Sequence, residues 1–201
     1  MTGAATTAVT RSAVLELREE RRAMGEGFTF LDEKCLLLAA EILRELKRHA
    51  ALRGEYQRLH GEACAGLRAA LLRHGLQGTL CLPAPSFDAA RLRIGRRTLM
   101  GVALQDAELG GAPASAPMPV NPSPEADQAR ERFAALLAQA APLAAAAGNL
   151  ERLSHEYRRT VRRARALQDV LLPELDQAAH DIQTRLEQQE QEEAVWVRHG
   201  R

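Results

Sequence analysis

Aromatic side chains are scarce in this chain. Phe, Tyr and Trp together make up 3% of 201 residues, too few to build a thick globular core around large rings. Cysteine is also sparse. Cys35, Cys64 and Cys81 are odd in number and widely separated, and they form no CxxC pair, so neither a disulfide framework nor a four-thiolate metal site is encoded. A reduced, cytoplasmic setting with the cysteines as small helix-packing residues is the reading this supports. Charge of one sign is missing too: 27 Lys and Arg against 26 Asp and Glu leave a formal charge of +1, which argues against a dedicated nucleic-acid binder. The opening MTGAATTAVTRSAVLEL has no basic segment followed by an apolar run, so no signal peptide is read there. The most apolar stretch, FAALLAQAAPLAAAAG from Phe133, is Ala-rich and interrupted by Gln139 and Pro142. The expectation is that it does not insert into a membrane.

Motifs that carry chemistry are lacking as well. GEACAGLR, Gly61 to Arg68, has two glycines at the spacing of a phosphate loop. Leu67 and Arg68, however, stand where the phosphate-bridging Lys and the Mg²⁺-binding hydroxyl belong. His155-Glu156 could begin a zinc helix, but Arg159 occupies the place of the second His. No catalytic residue, cofactor or metal is therefore expected.

What is present is Ala, Leu, Arg, Lys and Glu, more than half the chain, in long helical patterns. Val14, Leu17, Arg21, Met24, Phe28, Leu31, Cys35, Leu38 and Ile42 alternate steps of three and four, a coiled-coil seam. It continues less strictly through Leu46, Leu52, Tyr56, Leu59, Ala63 and Leu67 and dissolves near Leu72 to Gly75. A helix from about Ser12 to about Arg73 would be on the order of 90 Å long. A second helical segment is expected after Pro124, faltering at Pro142 or Gly148 and resuming near Asn149. Its seam runs through Leu150, Leu153, Tyr157, Ala164, Leu167, Leu171, Leu175, Ala178, Ile182 and Leu186. The consecutive steps of four in it imply a nearly straight, weakly wound stripe.

Between the helices the chain changes character. RLRIGRRTLMGVALQ alternates like a small β-hairpin, expected to cap the coiled coil, and GGAPASAPMPVNPSP reads as an extended Pro-rich linker. The expected fold class is all-α dominated: a long antiparallel two-helix coiled coil with a small β-hairpin head between the helices. Residues 1–75 form the first rod, 76–124 the head and 125–201 the second rod. Two charged stretches stand out. RRTVRRAR, Arg158 to Arg165, reads as a solvated face or a partner surface. EQQEQEE, Glu187 to Glu193, places acid near a helix C-terminus, where the dipole disfavours it.

Three passages carry a family resemblance. Thr10, Arg11, Leu15 and Leu17, spaced TR-x-x-x-L-x-L, are similar to an opening TR-x-x-L-x-L-K with one residue more after the Arg, and Gly27, Phe30, Leu31 and Lys34 fall on G-x-x-L-L-x-x-K-R. Thr98 to Val102 looks like a hairpin signature ending M-G-V. Arg162, Arg163, Ala166, Leu167, Pro173, Leu175, Ile182, Leu186, Glu187, Glu190, Glu192 and Glu193 match R-R-x-N-A-L-E-x-x-x-I-P-x-L-E and I-x-x-x-L-E-x-x-E-x-E-E. The chain thus resembles the D subunit of the V-type and archaeal-type rotary ATPases, the central rotor shaft. Val9, Cys35, Arg165, Gln168 and Asp176 depart from the pattern and suggest a divergent member.

The resemblance implies a non-catalytic shaft between a hexamer of catalytic A and B subunits and a proton- or sodium-translocating ring. It implies a small F subunit of the stalk bound at mid-shaft and a membrane-side socket subunit near the hairpin, with the chain peripheral on the cytoplasmic face of the membrane. No nucleic acid partner follows from it. The implied interface residues are Thr10, Arg11, Lys34, Met100, Gly101, Val102, Arg162, Arg163, Pro173, Glu187, Glu190, Glu192 and Glu193. Pro173 would bend the second rod and make the shaft asymmetric. A coiled-coil adaptor or secretion-apparatus stalk is the alternative; it shares the heptads but lacks the M-G-V hairpin and the Pro173 passage.

Overall fold

A computed structural model describes residues 9–83, 90–111 and 122–200. Most of the Pro-rich linker and the extreme N-terminus lie outside them. Helix α1 runs Arg11–Leu80, strands β1 (Arg91–Leu99) and β2 (Val102–Gly110) form an antiparallel hairpin, and α2 (Pro124–Ala166) leads through a π-turn at Leu167–Leu171 into α3 (Leu172–His199). This is the expected two long helices with a small hairpin between them in sequence. The chain divides into two compact units, one of residues through Leu37 together with Tyr157 onward, the other Leu38–Glu156.

In the first unit the start of α1 packs against α3. Ala13, Val14 and Ile182 are buried, with Val9, Leu17 and Leu186 packed around them. Arg11 reaches Glu190, Arg18 reaches Gln183 and Arg21 reaches Asp176, so residue numbers rise on one helix as they fall on the other, the signature of antiparallel pairing. Arg21, read as the polar occupant of the seam, is exposed and joins this rung.

Pro173 does not break its helix. The backbone is helical on both sides of it, and the N–H of Leu172 bonds to the carbonyl of Leu167, five residues back. The wider turn removes the crowding that a proline ring creates with the preceding turn. It also explains the steps of four. From Leu167 through Leu171 to Leu175 the seam takes eight residues where a heptad allows seven, and the π-turn absorbs the extra one. The acidic run Glu187–Glu193 is likewise not at a helix end, because α3 continues to His199 with Arg198 and His199 in its last turn, where cations suit the dipole.

In the second unit α1 pairs with α2 in the same antiparallel sense. Arg73 reaches Glu125, His74 Nε2 and Ser123 Oγ hydrogen-bond at 2.6 Å, and Arg132 donates to the carbonyl of Glu62. Ser123 caps α2 by accepting the N–H of Ala126 at 3.2 Å, and Pro124 occupies the first helical position, which needs no donor. At the other end, Gly75 (φ 69°, ψ 174°) interrupts α1 where the seam pattern dissolves; only glycine takes this backbone easily. The phosphate-loop-like Gly61–Arg68 is ordinary helix.

Helix α2 passes through both Pro142 and Gly148 without interruption, contrary to the expected falter. The continuous helical stretch Pro124–His199 is long and apolar enough, by length and composition alone, to cross a membrane, with 22% of its most apolar window buried. Leu136, Ala145, Ala146 and Asn149 nevertheless face inward and are buried. Pro142 has no N–H to give the preceding turn, and α2 is helical on both sides of it.

The hairpin does not cap the helix pair. It lies along its side, with Val102 and Leu104 of β2 buried and Leu104 fully enclosed. Asn149 is one of the side chains that fix it there. Asn149 has no exposed surface; its amide donates to the carbonyl of Gln105 and accepts the N–H of Gln105, both at 2.8 Å, so that a side chain replaces a neighbouring strand. Replacing Asn149 by Leu is expected to orphan two backbone groups at about 1–3 kcal/mol each. Chemical denaturation should show the loss, and hydrogen exchange at the Gln105 amide should accelerate more than at α3 amides.

Candidate functional site: the docked hairpin and the paired helix ends

No described residues gather three or more potential metal ligands, and the sequence points to surfaces rather than a cleft. Two such surfaces can be built from their residues.

The first is the hairpin dock. Glu41 and Glu45, each 2% exposed, lie one turn apart on α1 and face the hairpin. Buried carboxylates require compensation, because an unpaired one costs several kcal/mol. Arg97 of β1 supplies it, donating to Glu41 at 2.7 Å and to Glu45 at 2.9 Å. Arg44 also pairs with Glu41, and Arg48 bridges Glu45 (3.7 Å) and Asp106 of β2 (2.6 Å). The hydrogen bond to Glu41 is the main influence on Arg97, holding its guanidinium above its ordinary pKa against the opposing effect of burial. On α2, Arg152 donates to Oδ1 of Asn149 at 2.9 Å and completes the frame. The hairpin is thus positioned by charge and one amide together with the burial of Val102 and Leu104.

At its tip, Met100 (φ 48°) and Gly101 (φ 83°) form the two-residue turn. Both positions need positive φ, as in a type I′ turn; glycine accepts this freely, whereas methionine is strained. The Met100 side chain is exposed, and nothing in the hairpin requires it. Met100→Asn is expected to stabilise the hairpin by about 1 kcal/mol, read as a rise in Tm, while Met100→Val should lower it. Of the three expected hairpin residues, Met100 and Gly101 present themselves outward and Val102 is buried as an anchor.

The second surface is the paired ends of α1 and α3. Thr10, expected to be a partner contact, caps α1 within this chain: its Oγ1 accepts the N–H of Ala13 at 3.2 Å. Arg11 and Glu190, also expected at a partner surface, hold each other at 2.6 Å. Glu187 accepts from Gln183, while Glu192 lines a shallow groove with Gln188, Gln191, Val195 and Trp196. Glu193, Arg162 and Arg163 are exposed, and Pro173 is exposed beside its π-turn. Lys34 is half-buried and partnered. Its neighbour Cys35 is partly buried, and burial first, then the charge of Asp32, pushes the thiol pKa up, with Lys34 opposing. A thiol pushed up in this way forms the nucleophilic thiolate less readily than an ordinary one. Cys64 and Cys81 are exposed rather than packed. Thr10→Ala is expected to cost about 1 kcal/mol and to speed exchange of the Ala13 amide, whereas Thr10→Ser should retain both.

A family model for the ATP synthase D subunit matches residues 13–199. The chain belongs to the ATP synthase D-subunit family. Among curated relatives, it is 29% identical over 201 residues to the V-type ATP synthase D subunit of Anaeromyxobacter dehalogenans strain 2CP-1, covering 96% of this chain and 95% of the relative. It is 26% identical over 189 residues to the V-type ATP synthase D subunit of Thermotoga neapolitana, covering 92% of each. With the A-type ATP synthase D subunit of Methanopyrus kandleri the identity is 26% over 190 residues, 92% of this chain and 82% of the relative. Membership of this family makes the chain part of a membrane-associated, ion-transporting rotary complex. In this D-family chain, the Thr10-Arg11 opening and the acidic run are seen to be one structural contact, and the M-G-V passage is a turn and its anchor.

The residues that sequence reasoning missed are Glu41, Glu45, Arg97 and Asn149. The first two stand at seam spacing after Leu38, and that spacing was the available signal.

Proposed function

We propose that this protein is the non-catalytic central shaft of a V/A-type rotary ATPase or ATP synthase. It transmits torque between a hexamer of A and B subunits, where nucleotide is hydrolysed or made, and a membrane ring that moves protons or sodium ions. The observation that carries this reading is the antiparallel helix pair, which recurs in each unit and is tied across by rungs such as Arg11–Glu190 and Arg73–Glu125. A single helix twists easily; two helices with interdigitated side chains resist twisting because each knob is held by the facing helix. The surface rungs contribute little stability individually and serve to fix register.

On this reading the ends of α1 and α3 enter the hexamer, with Glu192, Glu193 and the exposed Val195, Trp196 and Val197 offered to its inner wall. A small F subunit binds the side of the shaft, and a socket subunit joins it to the membrane ring. The chain itself stays peripheral, on the cytoplasmic face, without inserting; a bacterial plasma membrane is the setting proposed. Arg162 and Arg163 contact protein rather than nucleic acid. An affinity tag placed near Ala114 and recovered from native membranes should bring down A and B subunits with the small F subunit, and the purified chain alone should hydrolyse no ATP. Recovery without A and B, or ATP turnover by the chain alone, would overturn the proposal.

A further inference from the structure

The two strands of the hairpin have different outer edges. That of β2 is occupied by Asn149, which bonds both the N–H and the carbonyl of Gln105. These bonds also settle how β1 is oriented. In an antiparallel ladder, a residue that turns its peptide groups away from the neighbouring strand faces one that does the same. Gln105 lies opposite Arg96. Arg96 therefore turns its N–H and carbonyl outward, and by the two-residue period so do Leu92, Ile94 and Thr98. No backbone group of the described residues outside the hairpin pairs with them. All of β1 except Leu99 is exposed.

Such an edge is a template for another strand, and its side chains state which strand. The nine residues of β1 include Arg91, Arg93, Arg96 and Arg97 and no acid. Arg97 is engaged by Glu41 and Glu45, and Arg93 lies opposite Glu108. Arg96 lies opposite uncharged Gln105 and has no ion-pair partner among the described residues. On the same face as Arg96, Leu92 and Ile94 are 57% and 51% exposed. A second copy of this chain is a poor occupant, since two Arg-rich edges side by side repel.

We propose that the open edge of β1 is a docking site for an extended acidic segment of another polypeptide. That segment adds as a third strand, setting carboxylates against Arg96 and apolar side chains on Leu92 and Ile94. The inference stands on the hairpin alone and does not depend on the shaft reading.

The probe is an eight-residue peptide of alternating Glu and Val, titrated into the full chain and followed by amide hydrogen exchange and fluorescence anisotropy. Its controls are the same peptide N-methylated at every second residue and a Lys-Val counterpart. Binding should slow exchange of the Leu92, Ile94, Arg96 and Thr98 amides by about tenfold or more while leaving the Arg93 and Arg97 amides, already bonded to β2, unchanged. Ile94→Pro removes an outward donor without touching the ladder and should abolish binding. Arg96→Glu should weaken it by about tenfold and admit the Lys-Val peptide. Equal binding of the N-methylated peptide, or absence of protection at the outward amides, would mean that no strand is added and the arginines only guard the edge. Should Ile94→Pro disturb the hairpin, the Arg93 and Arg97 amides would report it, and the N-methylated peptide and Arg96→Glu would still decide.

Discussion

Two helices lying side by side have almost no interior. Each can bury one stripe against the other, and every residue off that stripe meets water unless something else covers it. The rest of this structure follows from that shortage of inside. Many seam residues are small, Ala13 in the first unit and Ala63, Ala70, Ala126, Ala129 and Ala146 in the second, with Leu38, Leu136 and Leu153 the large side chains among them. Small side chains let backbones approach and recover by close contact what they lack in area. Little apolar surface then remains to position a third element, so the hairpin is placed by polar groups.

The hairpin dock shows what that substitution requires. Buried charge stabilises weakly and is severe when unpaired, so it is better at specifying a geometry than at holding one. Glu41 and Glu45 accept Arg97 at one height along the strand, Arg48 meets Asp106 a turn further on, and Asn149 reads the backbone of a single residue. A slip of β2 by one residue would reverse its faces, expose Leu104 and leave the amide of Asn149 without its two partners. Polar contacts therefore set the register, while Val102 and Leu104 supply the burial.

The sequence made the helices and the hairpin legible for one reason: each has a period long enough to rise above noise. The seam from Val14 to Ile42 and the alternation around Leu92 to Leu104 are both found where they were read. Legibility failed where a polar residue took an apolar post. After Leu38 the buried positions are Glu41 and Glu45, while Leu43 and Leu46 are 61% and 47% exposed. A rule that sends carboxylates to water and leucines inward reverses this stretch, because the deciding partner, Arg97, is more than fifty residues away and its charge is invisible to local pattern. Pro142 misled for a related reason: it is a breaker in isolation, yet α2 runs through it, and at Pro173 a widened turn accommodates the ring. Two residues that the family motifs single out also have local duties that no motif states: the Thr10 hydroxyl caps its own helix, and Arg11 pairs with Glu190.

The π-turn at Leu167–Leu171 has a consequence for counting. One additional residue corresponds to about 100° of helix rotation, enough to carry a buried stripe round to the solvent side. Because the turn swallows that residue, α3 after it can stay in step with the start of α1 against which it packs. The phase at which α3 meets that helix is set by a number of peptide units rather than by the chemistry of any side chain. Amino acids on either side can therefore drift without altering it, whereas gain or loss of one residue at this place would re-index everything downstream.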